Sequence, residues 1–163
     1  MCRPIRQQTS MESLLSTAPR LRDACPADLT ALLALEAQFP GDRMSLRALR
    51  HAIVSPGARF RVVERQGEVL GDALLLLRRD SPAARLYSLI VSAQARGQGI
   101  ASLLLADAEA QARQSGRHAV RLEVRADNAA AIRLYERAGY CVFGRRPGYY
   151  DDGADALRMQ KPL

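Results

Sequence analysis

Tryptophan is absent from the 163 residues, lysine occurs once, at Lys161, and histidine only at His51 and His118. Two distant histidines leave little material for histidine-based catalysis. The three cysteines, Cys2, Cys25 and Cys141, are scattered and odd in number. With no CxxC spacing and no histidine cluster, they support neither a disulfide framework nor a zinc site, and no metal is expected. Long apolar runs are missing too. A run such as Ala73 to Leu77 falls far short of the roughly 20 residues needed to span a bilayer, and the N-terminus shows no signal-type apolar segment. The expectation is a soluble, cytoplasmic chain with no membrane partner. There is no internal repeat and no low-complexity segment.

What the chain has is arginine. Of the 24 basic residues 23 are Arg, all but Lys161, against 17 acidic ones, for a net charge of +7. The skew toward arginine fits coding bias. A basic surface nonetheless favours anionic ligands such as phosphates and makes nucleic acid a rival partner. The arginines are dispersed and no aromatic stacking pattern accompanies them, so nucleic acid is disfavoured.

At this length about one domain is expected. Residues 1–17 are polar and without periodicity and read as a loose tail, in which Met11 is a second candidate start. Residues 18–163 form the domain. PRLRDA reads as a strand, and Pro26 with Asp28 suits the first turn of a helix running through LTALLALEAQF until Pro40 and Gly41 stop it. A second helix runs from Ser45, as N-cap, to about Val54. ARFRVVER and EVLGDALLLLRR form a hairpin at Gln66-Gly67. After Pro82 come a strand ARLYSLIVS, a glycine turn, a helix to about Ser115, a strand HAVRLEVR, a helix from Asn128 to Ala138, a strand YCVFGRR and a closing strand ADALRMQKPL. Strand, crossover helix, strand implies parallel pairing in the middle of the sheet. The expected fold is a mixed α/β domain with a central sheet of about six to seven strands and helices on both faces.

RGQGIA, Arg96 to Ala101, lies between a buried strand and a helix with no Asp or Glu in its first turn. Helix N-termini present unpaired N–H groups and partial positive charge, and glycines let an anion come close. Alone the pattern is weak. It is neither a Walker loop nor a dinucleotide fingerprint, because no GK[ST] follows and the third glycine is absent. Further on, Glu123 lies on the polar side of VRLEVR, either a solvated charge or a base. Tyr135 shares a helix face with Ile132 and by pattern alone is a packing residue. Leu89, Ile90 and Val91 read as core strand, and Asn128 as an N-cap.

R-x-x-G-x-A at Arg96 to Ala101, after LYSLIV and followed by LEVRADNAAAIRLYERAGY, resembles the acetyl-CoA site of the GNAT superfamily of N-acetyltransferases. LEVRADNAAAIRLYE is similar to the bacterial enzymes that acetylate the N-terminal alanine of a ribosomal protein. The resemblance is strong from Leu86 to Tyr140, fair through GRRPGYYDDGADALRM and slight before Ala84. It implies acetyl-CoA as co-substrate. The backbone of Leu89, Ile90 and Val91 would pair with the pantetheine arm, and the turn and helix start, Arg96, Gly97, Gln98, Gly99, Ile100, Ala101 and Ser102, would hold the pyrophosphate. Asn128 would bond the cofactor near its thioester end. Glu123 would be the base that relieves the amine of its proton and Tyr135 the acid for the departing thiolate, with a backbone N–H of the LIV strand meeting the oxyanion. No cysteine lies in these motifs, so transfer is expected to be direct, in a ternary complex.

For the acceptor, the resemblance points to EAQFPGDRMS and PGYYDDGAD. Phe39, Tyr149 and Tyr150 would form an apolar, hydrogen-bonding wall, and Asp151, Asp152 and Asp155 would attract a cation such as an N-terminal ammonium with basic neighbours. The double tyrosine favours a peptide or protein N-terminus, a ribosomal protein among them. A small amine, a protein lysine and a module that binds CoA only to sense it are the alternatives.

Overall fold

The structure, a computed structural model, describes residues 17–163. Met11 and all of the expected tail but Thr17 lie outside the described residues. The strands are β1 (Arg20–Asp23), β2 (Ala58–Arg65), β3 (Glu68–Leu76), β4 (Ala83–Val91), β5 (Ala119–Arg125), β6 (Cys141–Arg146) and β7 (Ala156–Pro162). The helices are α1 (Leu29–Ala37), α2 (Leu46–Val54), α3 (Ile100–Gln114) and α4 (Ala129–Arg137). The strands form one seven-stranded mixed sheet in the order β1-β2-β3-β4-β5-β7-β6. Among the described residues no helix is long and apolar enough to cross a membrane.

Local chemistry sets most of these boundaries. The Ser45 hydroxyl accepts the Ala48 N–H at 3.1 Å and starts α2. Gln66 and Gly67 both adopt positive φ, 53° and 79°, the two-residue turn whose twist matches the strands of a hairpin. The first helix begins later than its proline suggests. Residues Pro26–Asp28 form a 3₁₀ turn because the Asp28 carboxylate accepts the Cys25 N–H at 2.8 Å and both terminal nitrogens of Arg22, each at 2.8 Å. That anchorage to β1 holds the turn tight, and the α-helix starts at Leu29.

Alternation along the strands feeds two cores. Phe60, Val62 and Leu74 pack with Leu32 of α1 and Leu49 of α2. Val63, Ala73, Leu75, Leu86, Val120 and Leu122 pack on the other face with Leu104, Leu105 and Ala108 of α3 and Tyr135 of α4. Gly71 lets α3 approach the sheet. A Cβ there would stand 2.6 Å from the Ile90 carbonyl oxygen and 3.3 Å from the Leu104 Cδ1.

One pairing differs from the sequence expectation. β7 inserts between β5 and β6, antiparallel to both, so β4 and β5 form the one parallel pair among the described residues. β7 buries Ala156 and Met159 and suits an interior position. CVFGRR buries no residue and takes the edge.

β4 and β5 then part. They pair only from Ala83 to Leu86 against Ala119 to Leu122. At that point β4 bulges: Leu74 faces Ser88 and Leu75 faces Leu86, so Tyr87 is the extra residue. Bulges bend a strand and raise its twist, and here the bend turns the rest of β4 away from β5. Beyond it, Leu89 to Val91 pair outward with β3, and Glu123 to Arg125 pair outward with β7. The inner edges of both strands are free.

Candidate active site

At one mouth of this split lies the glycine turn. Gly97 and Gly99 adopt φ of 73° and 78°, and a Cβ on either would meet nothing within 4 Å. The glycines therefore supply a left-handed backbone that L side chains adopt poorly, and the space beside each is open. Gly99 is the N-cap of α3, and the first intrahelical bond runs from Leu103 N–H to the Gly99 carbonyl. The N–H groups of Ile100, Ala101 and Ser102 have no helical partner, and no carboxylate in the first turn competes for them. They open on a hollow of about 170 Å³ lined also by Val91, Arg96, Gly97 and Gly99.

Side chains around the turn are directed elsewhere. Gln98 accepts from Arg65 Nη1 at 2.9 Å and donates to the Gln94 carbonyl at 3.3 Å. The Arg96 guanidinium sits over the Phe39 ring, 5.4 Å from its centroid. Ile100 is buried in the core. What this segment offers an anion is its backbone. The two readings of Asn128 divide between the two ends of its amide. Its Oδ1 accepts the Ala131 N–H at 3.1 Å and caps α4, and the residue also lines the cleft.

The split itself is a cleft of about 480 Å³, lined by Leu86 to Ile90 of β4, Glu123 to Arg125 of β5, Asn128, Ala131 and Tyr135 of α4, and Phe39 to Asp42 and Tyr150 from the flanking loops. Glu123 and Tyr135 thus reach the same cavity from a strand and a helix. The Glu123 side chain is 12% exposed, and its Oε2 accepts from Arg85 Nε at 3.1 Å. Arg85 Nη2 also donates to the Tyr149 hydroxyl at 3.1 Å, tying this carboxylate to the loop after β6. Tyr135 is buried and packs edge-on against Tyr140, with centroids 5.8 Å apart. Burial, with Tyr150 adding to it, pushes its phenol up to about 12. At neutral pH it remains a donor, above the roughly 8.5 of a free thiol.

The mouth expected to receive the acceptor is made of side-chain charges. Asp152 lines the cleft, but Arg125 holds it through two contacts, at 2.7 and 3.2 Å. Asp155 is taken by Arg145 at 2.8 Å and by the Gly148 N–H at 3.0 Å. Asp151 is exposed and lines a side hollow with Pro40, Gly41 and Arg43 instead. Of the three acids expected to attract a cation, two are already neutralised by the chain's own arginines, and the third stands outside the main cleft. Tyr150 lines the cleft, with Tyr149 edge-on to it at 5.1 Å and more exposed.

Several contributors escaped the sequence reading. Tyr87 and Arg125 line the cleft and Arg85 holds Glu123 and Tyr149 beside it; the signal for Arg85 and Tyr87 is the alternation of Ala84 and Leu86 with polar Arg85 and Tyr87 in a strand at the centre of the sheet. Glu36 of α1 is buried, and its Oε2 accepts the Met44 N–H at 2.8 Å, pinning the loop that carries Phe39 to Asp42. Asp72 of β3, directly opposite Ile90, is buried, and among the described residues neither of its oxygens has a partner. Burial, then the nearby Glu36, holds its carboxyl well above the usual carboxylate range. Cys25 and Cys141 are free and exposed, and neither lines the cleft.

Residues 27–140 match the family model described as acetyltransferase (GNAT) family. The chain is 31% identical over 128 residues to the aminoalkylphosphonate N-acetyltransferase of Salmonella typhimurium, covering 74% of this chain and 83% of that one. Among solved structures, the ribosomal-protein-alanine N-acetyltransferase of Escherichia coli superposes with a TM-score of 0.80 at 26% identity, over 90% of this chain and 94% of that one. The corresponding enzyme of Brucella melitensis gives 0.76 at 30% identity, over 88% and 99%. With a family match over most of its length, on a sheet that splits beside an anion-ready helix start, the chain belongs to the GNAT family and is an N-acetyltransferase.

Proposed function

We propose that the enzyme acetylates the α-amine of a protein N-terminus, alanine first among acceptors and a cytoplasmic ribosomal protein among the candidates, by direct attack in a ternary complex. The observation that carries this reading is the meeting of Glu123 and Tyr135 in one cleft, between the amides of the glycine turn and the tyrosine-bearing loop. Both solved relatives named above are ribosomal-protein-alanine N-acetyltransferases.

Acetyl-CoA supplies the acyl group and the thiolate leaving group. The free amides of Ile100 to Ser102 would hold its diphosphate, and the open inner edge of Leu89 to Val91 would pair with its amide-bearing arm as an added strand does. The Asn128 amide nitrogen would bond it near the thioester. Glu123, through Oε1 or a water on it, takes the proton the amine loses as the N–C bond forms. Tyr135 gives its proton to sulfur as the C–S bond breaks. The proton on Glu123 passes to solvent, and the phenol is reprotonated.

A second reading has its own support. Arg125 lines the cleft and Arg85 holds Glu123 beside it, and the Salmonella relative's acceptor carries a phosphonate. One assay separates the readings: thiol release from acetyl-CoA with an alanine-initiated peptide, an aminoalkylphosphonate, a lysine peptide blocked at its N-terminus, and a polyamine. Turnover of the first well above the rest is expected. Preferential turnover of the phosphonate would transfer the assignment to small anionic amines.

A further inference from the structure

α1 and α2 cover only the N-terminal half of the sheet face from which the acceptor approaches. Beyond the cleft the same face continues across β5, β7 and β6, and among the described residues no helix lies on it. Register fixes what it displays. Glu123 stands opposite Arg158, and Arg121 opposite Gln160, and directly opposed residues of an antiparallel pair share a face. The strip therefore begins at the catalytic carboxylate itself. Arg121 and Arg158 converge on Phe143, their Cζ atoms 5.4 and 4.6 Å from its centroid, and Arg146 lies 5.7 Å from that of Tyr149. Both rings are exposed, at 37% and 38%. Among the described residues none of these three arginines has a carboxylate partner, although neighbouring Asp152 and Asp155 are fully engaged by other arginines.

From this juxtaposition of a loop whose Asp152 and Asp155 are already paired and an unneutralised arginine–aromatic strip we infer that the acceptor is acidic a few residues beyond its amino end, and that Arg121, Arg146 and Arg158 read those carboxylates. The inference rests on the proposal that the acceptor is a polypeptide. An extended chain advances roughly 3.3 Å per residue and neighbouring strands lie about 4.8 Å apart. A chain whose amine meets Glu123 thus passes over Arg121 and the β6 arginines with about its third to sixth residues. Guanidiniums parked on aromatic rings are preoriented and hold carboxylates in a fork. A lysine- or arginine-rich acceptor would meet like charge there and, at a distance, the field of a chain with net charge +7. Phe143 already carries two guanidiniums, so a nucleobase finds little ring to stack on, and single-stranded nucleic acid fits the strip less well than an acidic peptide.

The test is fluorescence anisotropy with the full chain saturated with CoA, using three labelled peptides that begin with alanine and carry glutamate, serine or lysine from the third to the sixth position. The acidic peptide is expected to bind roughly tenfold more tightly than the neutral one, from a few exposed charge pairs acting together. The basic peptide should bind weakest, and the spread should collapse at about 0.5 M salt. Arg121→Glu with Arg146→Glu should invert the order, whereas Arg78→Glu with Arg79→Glu, the same charge change beyond the far end of β3, should leave it intact. If the double variant fails to fold, Arg121→Gln should still narrow the spread. Equal binding of the three peptides, or inversion by the Arg78/Arg79 variant as well, would overturn the inference, as would a single-stranded RNA that binds more tightly than the acidic peptide. Peptides acetylated without charge preference would sink the inference alone. An acidic peptide bound through this strip but never acetylated would sink the proposed acceptor and leave the surface standing.

Discussion

The two mouths of the cleft are built from different parts of the polypeptide. On the side proposed for the diphosphate the chain offers its backbone: two left-handed glycines, three amides without helical partners and a bare strand edge, with the side chains of Arg96, Gln98 and Ile100 engaged elsewhere. On the side proposed for the acceptor it offers side-chain charges, several of them cross-linked to one another: Arg85 with Glu123 and Tyr149, Arg125 with Asp152, Arg145 with Asp155. A backbone site is indifferent to pH and tolerant of side-chain drift, whereas a charge network depends on both. The difference teaches why one end of such an enzyme can stay fixed while the other changes acceptor.

Tyr135 belongs to neither mouth, and its loss should give the largest effect. Tyr135→Phe keeps the ring against Tyr140 and removes only the proton donor. The expected outcome is a fall in kcat of roughly 10²-fold or more, the scale of a positioned general acid, with CoA affinity by calorimetry little changed. Turnover that hardly moves would reduce Tyr135 to packing and leave the cleft without an acid.

Gly99→Ala probes the backbone end. No atom obstructs the added methyl, so the cost is conformational, about 1–2 kcal/mol for an L-residue held left-handed. If the amides of the turn grip the diphosphate, that strain and the tilt of the first helical turn should weaken CoA roughly tenfold. Ala at Gly41, whose backbone is not in the left-handed region and where a Cβ also meets nothing, is the control, expected to leave CoA affinity alone. Equal behaviour of the two variants would remove the backbone from the account of that mouth.

The contrast between the mouths also governs how much could be read without coordinates. The glycine turn, the N-caps Ser45 and Asn128 and the hairpin at Gln66-Gly67 are local: each is a backbone requirement satisfied within four residues, and spacing exposes it. The insertion of β7 between β5 and β6 was not legible, because it depends on which strand can be buried on both sides, a comparison between segments distant in sequence. The acceptor mouth was misread for the same reason. DDGAD looks like free negative charge until Arg125 and Arg145, from two different strands, are folded onto it. Asp72 gives no signal in EVLGDALLL beyond an acid in a buried strand, and its isolation from any cation appears only in three dimensions.

A smaller effect should separate the two ends of one amide. Asn128→Asp retains an oxygen to cap α4, while Asn128→Ala removes it. The alanine variant should lose about 1 kcal/mol of stability in urea and the aspartate variant much less. Both discard the amide nitrogen, so both should weaken CoA by a similar few-fold factor. A CoA affinity that tracks stability instead would mean that the residue acts only as a cap.

The smallest effect is a difference between two pH values, and it concerns the acceptor mouth alone. Burial, with Glu36 nearby, holds the Asp72 carboxyl well above the usual carboxylate range, and Glu36 of α1 also pins Met44. A carboxyl whose native pKa is raised binds a proton that the unfolded chain has released, so its contribution to stability is intact below the unfolded value of about 3.9 and declines as pH climbs toward the native one. Asp72→Asn removes the titration. The variant's stability relative to the parent should therefore be greater at about pH 8 than at about pH 5, measured by urea midpoints, and at the higher pH the loop carrying Phe39 to Asp42 should be better protected from amide exchange in the variant than in the parent. Gly99→Ala, at the backbone mouth, should show a constant deficit across the same range. A pH-independent difference for Asp72→Asn would mean that a cation or water partners this carboxyl after all, and the acceptor end would then be no more pH-sensitive than the glycine turn.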